Sequence, residues 1–244
     1  MKTVLITGAG SGLGRQITLE FVKKGYTPIL VSKSKESLKE LADSIKAQYY
    51  VVDISDKQQV QTLKKQLVKK NIHIDCLINN AGIGAFGTIK DTKDDTIKSL
   101  MDVNYFGTIN MTMAFIEDIR AQNGTIVFIN SIAGKILIPK FGAYCASKFA
   151  LDCFSRTLAQ EEDFRVINVY PGPMSTNFYN NESFSAMKVR FLFSDPAVIA
   201  RIIVKKIVNG KKIIVVPSYL FLLLVMNRIS HSFTRFVFRN IYKI

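Results

Sequence analysis

The sequence predicts an α/β fold, a doubly wound parallel sheet in a single domain followed by a C-terminal amphipathic tail. Three observations carry this. Short continuous apolar runs alternate with longer helical patterns, which marks strands buried on both faces between crossover helices. The first run leads directly into the Gly-rich turn Thr7-Gly8-Ala9-Gly10-Ser11-Gly12-Leu13-Gly14. A chain of 244 residues, 48% apolar and 21% charged, fits one large domain whose core needs no disulfide or metal. Such a sheet binds its ligand at the C-terminal ends of its strands.

The elements follow in order. Thr3–Thr7 (TVLIT) is a buried strand, and the helix after the glycines runs to about Lys24. Pro28–Ser32 is the second strand, followed by a helix over Glu36–Ala47, and Tyr49–Asp53 is the third strand. Ser55-x-x-Gln58 reads as a capping box opening the next helix. Ile74–Asn79 and Thr125–Asn130 are strands with a long helical region between them. A helix from about Gly142 to Glu161 precedes the strand Val166–Tyr170. A Phe-rich loop, a helix near Ala197–Val208 and the strand Lys212–Val216 complete a domain over residues 1–217, leaving 218–244 as the tail.

Charge is uneven. The net charge is +14, and from Pro196 to Ile244 there are nine Lys or Arg and no acid, leaving +5 for the rest. Basic and aromatic residues segregate in that tail rather than alternating, so the basicity does not point to nucleic acid. Cys76, Cys145 and Cys153 form no CxxC pair, and with only His73 and His231 beside them no metal site is expected. The cysteine usage favours a reducing, cytoplasmic compartment. The apolar run in MKTVLITGAG is too short for a signal peptide.

Glycines in the first turn let backbone N–H groups approach a pyrophosphate, and the helix N-terminus adds a favourable partial charge. On its own this turn also reads as a plain strand–helix connection. Four further motifs follow in order: Asn79-Asn80-Ala81-Gly82; Asn104 in Val103-Asn104-Tyr105; Ser131 with Tyr144-Cys145-Ala146-Ser147-Lys148; and Pro171-Gly172-Pro173-Met174-Ser175-Thr176. With these the chain resembles the short-chain dehydrogenase/reductase family over about residues 1–217. The resemblance implies a Rossmann-like fold, a nicotinamide dinucleotide cofactor and a catalytic set of Asn104, Ser131, Tyr144 and Lys148. It implies cofactor contacts from Gly8, Ser11, Gly12, Leu13, Gly14, Ser32, Lys33, Asp53, Ile54, Asn80, Ala81, Gly82, Tyr144, Lys148, Pro171, Gly172 and Thr176. It also implies a homo-oligomer.

Tyr144 and Lys148 are four apart on a predicted helix and share a face. A free tyrosine titrates near about 10, and a neighbouring ammonium lowers that value. Tyr144 can then exchange a proton with a carbonyl or alcohol oxygen while Ser131 hydrogen-bonds it. By the resemblance, Lys148 also contacts the nicotinamide ribose, and Asn104 supports a water leading from Lys148. Thr176 reaches the nicotinamide carboxamide, and Asp53 accepts from the adenine amino group. Without the other motifs, Tyr144 and Lys148 read as a half-buried aromatic and a snorkelling lysine. Cys145 reads as packing.

NAD-preferring members usually carry an acid at the end of the second strand. Here the segment is Val31-Ser32-Lys33-Ser34. Lys33 can pair with a 2′-phosphate and Ser32 can donate to it, so NADP(H) is the expected cofactor, with NAD(H) the alternative. A lysine is a point charge rather than a fork, which limits the preference.

Met174, Phe178, Tyr179, Phe184, Met187, Phe191, Leu192 and Phe193 form an apolar loop suited to a lipophilic carbonyl or alcohol, or to packing on the domain or a partner. Tyr219–Met226 is an eight-residue apolar run, short of the roughly 20 residues that span a bilayer. Beyond Asn227, helical spacing puts Ile229, Phe233, Phe236, Val237 and Ile241 on one face. Arg228, Arg235, Arg239 and Lys243 fall opposite, a pattern that fits a membrane surface or a protein partner. The expected function is an NADP(H)-dependent oxidoreductase moving a hydride between the nicotinamide and an apolar carbonyl/alcohol pair. The alternatives are a dinucleotide-binding sensor and a membrane-recruited regulatory protein.

Overall fold

The computed structural model describes residues 2–175 and 194–230. The strands are β1 (Thr3–Thr7), β2 (Thr27–Ser32), β3 (Gln48–Val51), β4 (Cys76–Asn79), β5 (Thr125–Ile129), β6 (Arg165–Pro171) and β7 (Ile213–Val216). They form one sheet in the order β3-β2-β1-β4-β5-β6-β7. Every neighbouring pair is parallel. The order reverses beside β1, so the crevice above β1 and β4 is the place where such a sheet takes its ligand.

The helices are α1 (Gly12–Lys23), α2 (Lys35–Ile45), α3 (Lys57–Lys69), α4 (Asp94–Met101), α5 (Thr108–Ala121), α6 (Gly142–Glu161), α7 (Pro196–Val208) and α8 (Leu220–Ile229). Alternation along β1 divides the core. Val4 and Ile6 face a layer with Ile17 and Phe21 of α1, Leu38 of α2 and Ile203 of α7. Leu5 faces the other layer, with Leu63 of α3, Phe115 of α5 and Leu151 of α6. These side chains are almost fully buried, each contributing on the order of 2 kcal/mol of burial free energy.

Local chemistry explains where the boundaries differ from the sequence reading. The cap of α3 is Asp56, which accepts from the N–H groups of Gln58 and Gln59, and Ser55 does not fill that place. Ser55 instead donates to Asp53. β3 ends at Val51, so Asp53 lies in the loop beyond it. Between β4 and β5 the helical region is interrupted by a π-helical turn, Asp102–Gly107; such turns often mark functional positions. α2 stops at Lys46, which takes a left-handed conformation (φ 55°).

The tail begins by packing on the domain. Leu220 joins a buried cluster with Ile132, Ile136, Tyr170 and Val215, and Asn227 Nδ2 donates to the Lys135 carbonyl at 3.2 Å. The apolar run is thus a helix whose inner face packs on the sheet domain. Its other face leaves Tyr219, Phe221, Leu222, Val225 and Ile229 exposed. Ser230 is extended (φ −146°), so Arg228 and Ile229 close α8. Phe233, Arg235, Phe236, Val237, Arg239, Ile241 and Lys243 lie outside the described residues.

Candidate active site

The site is built at the C-terminal ends of β1, β4 and β5. Gly8 leaves β1 with φ +65°, a conformation that strains any side-chain-bearing residue. A Cβ on Gly14 would stand 2.2 Å from the Gly8 carbonyl oxygen and 2.5 Å from Asn80 Nδ2. The glycines therefore let helix α1 close tightly on the turn. Asn80 locks the same turn: its Nδ2 donates to the Thr7 carbonyl at 2.9 Å, and Thr7 Oγ1 accepts from the N–H groups of Asn80 and Ala81. Ser11, the residue before α1, makes no side-chain capping bond, so its hydroxyl stands beside the helix N-terminus.

Above the turn lies a cavity of about 770 Å³, large enough for a dinucleotide. Every residue expected at the cofactor lines it except Thr176, which lies outside the described residues. Ser131, Tyr144 and Lys148 line the same cavity. The wall also includes residues for which no motif was available, among them Ile83, Ser99, Asp102 and Val103, supplied by the loop after β4, by α4 and by the π-helical turn. Asn130 was missed as well, although it stands next to Ser131. Met174 is the member of the expected apolar loop that the described residues include, and it too lines the cavity.

Tyr144 and Lys148 project from one face of α6, with Lys148 Nζ 6.0 Å from the Tyr144 ring centroid. Lys148 is buried, and its ammonium donates to the Ile129 carbonyl at 3.2 Å. Burial lowers its pKa to about 8, because desolvation penalises the charged form. Phe141 packs edge-on against Tyr144, with Phe86 edge-on behind it. Ser131 ends β5's extension, and its hydroxyl accepts from the Ala133 N–H at 3.1 Å.

Asn104 stands on the π-helical turn behind the site. Its side chain is fully buried and is not part of the cavity wall. Its Oδ1 accepts from the Ile83 N–H at 2.8 Å, and its Nδ2 donates to the Ile83 carbonyl and to Ser147 Oγ. The π-helical turn aims Asn104 at these groups. It ties the loop after β4 to the helix that carries Tyr144. Cys145 is buried with its sulfur toward the Ile136 carbonyl, and burial raises its pKa, consistent with packing.

At the far end of the cavity Lys33 Nζ stands 2.7 Å from Asp53 Oδ2. Partial burial opposes the Asp53 carboxylate, but Lys33 and Ser55 outweigh it and hold its pKa below the usual value. Ser32 Oγ faces the Ser34 N–H at 3.4 Å.

The family pattern described as short chain dehydrogenase matches residues 2–185. The chain belongs to this family. It is 38% identical over 195 residues to Dehydrogenase/reductase SDR family member 7B of Xenopus tropicalis, covering 73% of this chain and 62% of that protein. It is 33% identical over 190 residues to 3-ketodihydrosphingosine reductase of Bacteroides thetaiotaomicron, covering 76% and 69%. Among solved structures, a Burkholderia phymatum short-chain dehydrogenase/reductase in complex with NAD superposes with a TM-score of 0.85 at 21% identity, covering 96% of this chain and 95% of that one. An alcohol dehydrogenase of Thermococcus sibiricus with 5-hydroxy-NADP gives 0.81 at 23%, covering 88% and 95%. At those identities the two structures establish the shared fold. The chain spans about 60% of the length of the curated relatives it first matches.

Proposed function

We propose that this short-chain dehydrogenase is an NADP(H)-dependent oxidoreductase that interconverts a lipophilic carbonyl compound and its alcohol. The observation that carries this is one cavity lined both by the Gly-rich turn and by Ser131, Tyr144 and Lys148. The glycine cradle, the N-terminus of α1 and the Asn80 lock fit a dinucleotide pyrophosphate. When bound, a nicotinamide supplies or accepts the hydride. Tyr144 Oη gives its proton to the carbonyl oxygen in reduction and takes it back in oxidation. Ser131 Oγ donates to that oxygen and holds it in place, and Lys148, cationic at neutral pH, stabilises the phenolate that develops.

A lipophilic substrate is supported by Ile83, Val103 and Met174, apolar residues that line the cavity with Tyr144. It is also supported by a relative named for a sphingoid ketone. Thr176, Phe178 and the rest of the apolar loop belong to this proposal on the sequence alone. Turnover of a panel of lipophilic ketones and alcohols tests the reading. A folded protein that binds neither NADPH nor NADH, followed by nicotinamide fluorescence, would instead favour a regulatory protein.

The preference for NADP(H) rests on Lys33 at the end of β2. Lys33→Asp is expected to reverse the order of NADPH and NADH affinities, because the variant would repel a 2′-phosphate and accept from a 2′-hydroxyl. Unchanged selectivity in that variant overturns the assignment.

A second proposal is attachment to a membrane surface, in a reducing, cytoplasmic compartment. No helix among the described residues is long and apolar enough to cross a membrane. The exposed apolar face of α8, on a chain acid-free from Pro196 onward, suits an anionic interface. Co-sedimentation with phosphatidylserine vesicles at low salt is the expected result, weakened by Phe221→Ser together with Leu222→Ser. A homo-oligomer is proposed from family membership and from Phe106, Met113 and Phe149, which stand exposed on the π-helical turn, α5 and α6.

A further inference from the structure

Lys33 and Asp53 lie just beyond the ends of the neighbouring parallel strands β2 and β3 and close on each other across the rim of the cavity, 2.7 Å apart. The two partners are not equally free. Asp53 Oδ1 accepts from both the N–H and the hydroxyl of Ser55, at 3.0 and 2.6 Å, and its backbone N–H donates to Gln59 Oε1 at 2.9 Å. The carboxylate is thereby fixed with Oδ2 toward the lysine. Lys33 is 80% exposed on a flexible stem and can move. Among the described lining residues the positive charges are Lys33 and Lys148, and Lys148 is committed to the Ile129 carbonyl at 3.2 Å.

We infer that Asp53 is a specificity-determining residue that acts through Lys33, competing with the cofactor's 2′-phosphate for the ammonium and so reducing the preference for NADP(H) over NAD(H). This rests on Lys33 being the partner of the 2′-phosphate. A 2′-phosphate brings its own negative charge to Lys33 and must share it with a carboxylate held in place. A 2′-hydroxyl brings no charge, and the Lys33–Asp53 pair stays closed beneath it. Any contact of Asp53 with the adenine is common to both cofactors and cancels in their ratio. Because the pair is exposed, the effect is modest, about three-fold, and is screened by salt.

The test is a set of dissociation constants for NADPH and NADH, followed by nicotinamide fluorescence, in the wild type, Asp53→Asn, Lys33→Ala and the double variant. Asp53→Asn is expected to raise the NADPH:NADH affinity ratio about three-fold at low salt, even where both affinities fall, with less gain at high salt. In the Lys33→Ala background the same change is expected to move the ratio by less than half as much. An unchanged or lower ratio in Asp53→Asn, while Lys33→Ala lowers it, overturns the role of Asp53 and leaves the cofactor assignment standing. An equal effect of Asp53→Asn with or without Lys33 means direct repulsion of the phosphate and overturns the competition. A ratio that Lys33→Ala does not move removes the assignment and this inference together. Asp53→Ser gives the same readout if the Asn variant fails to fold.

Discussion

Replacing Lys148 by methionine is expected to raise the midpoint of thermal unfolding while abolishing most turnover. Lys148 is buried, and its pKa is lowered to about 8 by desolvation. A drop of that size from the ordinary lysine value corresponds to a folding penalty on the order of 3 kcal/mol at neutral pH. Methionine fills a similar volume without the charge, at the cost of the bond to the Ile129 carbonyl. The net gain is about 1–2 kcal/mol, or roughly 2–4 °C per kcal/mol for a domain of this size. The folded-state pKa is depressed, so the penalty is complete below about 8. It is relieved as pH rises from there toward the unfolded value, where the unfolded chain binds more protons. Wild-type stability should therefore climb with pH across that window relative to the variant, as paired thermal melts would show. Turnover should fall roughly a hundredfold or more, because Tyr144 loses the cation that favours its phenolate. Carbonyl reduction by the wild type should likewise decline above about pH 8 as Lys148 deprotonates. A variant that is less stable than wild type at neutral pH would show that the ammonium is well solvated in the folded protein.

Tyr144→Phe is expected to cost on the order of 10³-fold in turnover with little change in stability or cofactor affinity. The ring remains packed against Phe141, and only the oxygen proposed to carry the proton is removed. Single-turnover rates and NADPH titrations on the same sample separate the two effects. Undiminished turnover would place the proton donor elsewhere, with Ser131 the next group on the cavity wall.

Much of this architecture was legible in the sequence. The strands of a parallel sheet are covered on both faces, so they appear as uninterrupted apolar runs, and the observed bounds fall within about two residues of those read for all seven. Helix termini were less accessible, because caps depend on which of several adjacent polar residues points inward. Ser55 and Asp56 are both competent caps; Asp56 takes the role because Ser55 is drawn to Asp53. The interruption of the long helical region at Asp102–Gly107 left no mark in periodicity. It is the pull of Asn104 toward Ile83 and Ser147 that the π-helical turn accommodates.

The sequence by itself determined the sheet, the Gly-rich turn, the Tyr144–Lys148 face and the family. These depend on local spacing: glycines where backbone must approach, and two side chains one helical turn apart. Only the tertiary structure decided how the polar groups share their bonds. It tied Asn104 to Ile83 and Ser147, gave Asn80 to the first turn, joined Lys33 to Asp53 and laid α8 on the domain. Those pairings join residues distant in the chain. Hydrogen-bond partners and burial are set by what the fold brings near, which spacing along a strand or helix does not encode.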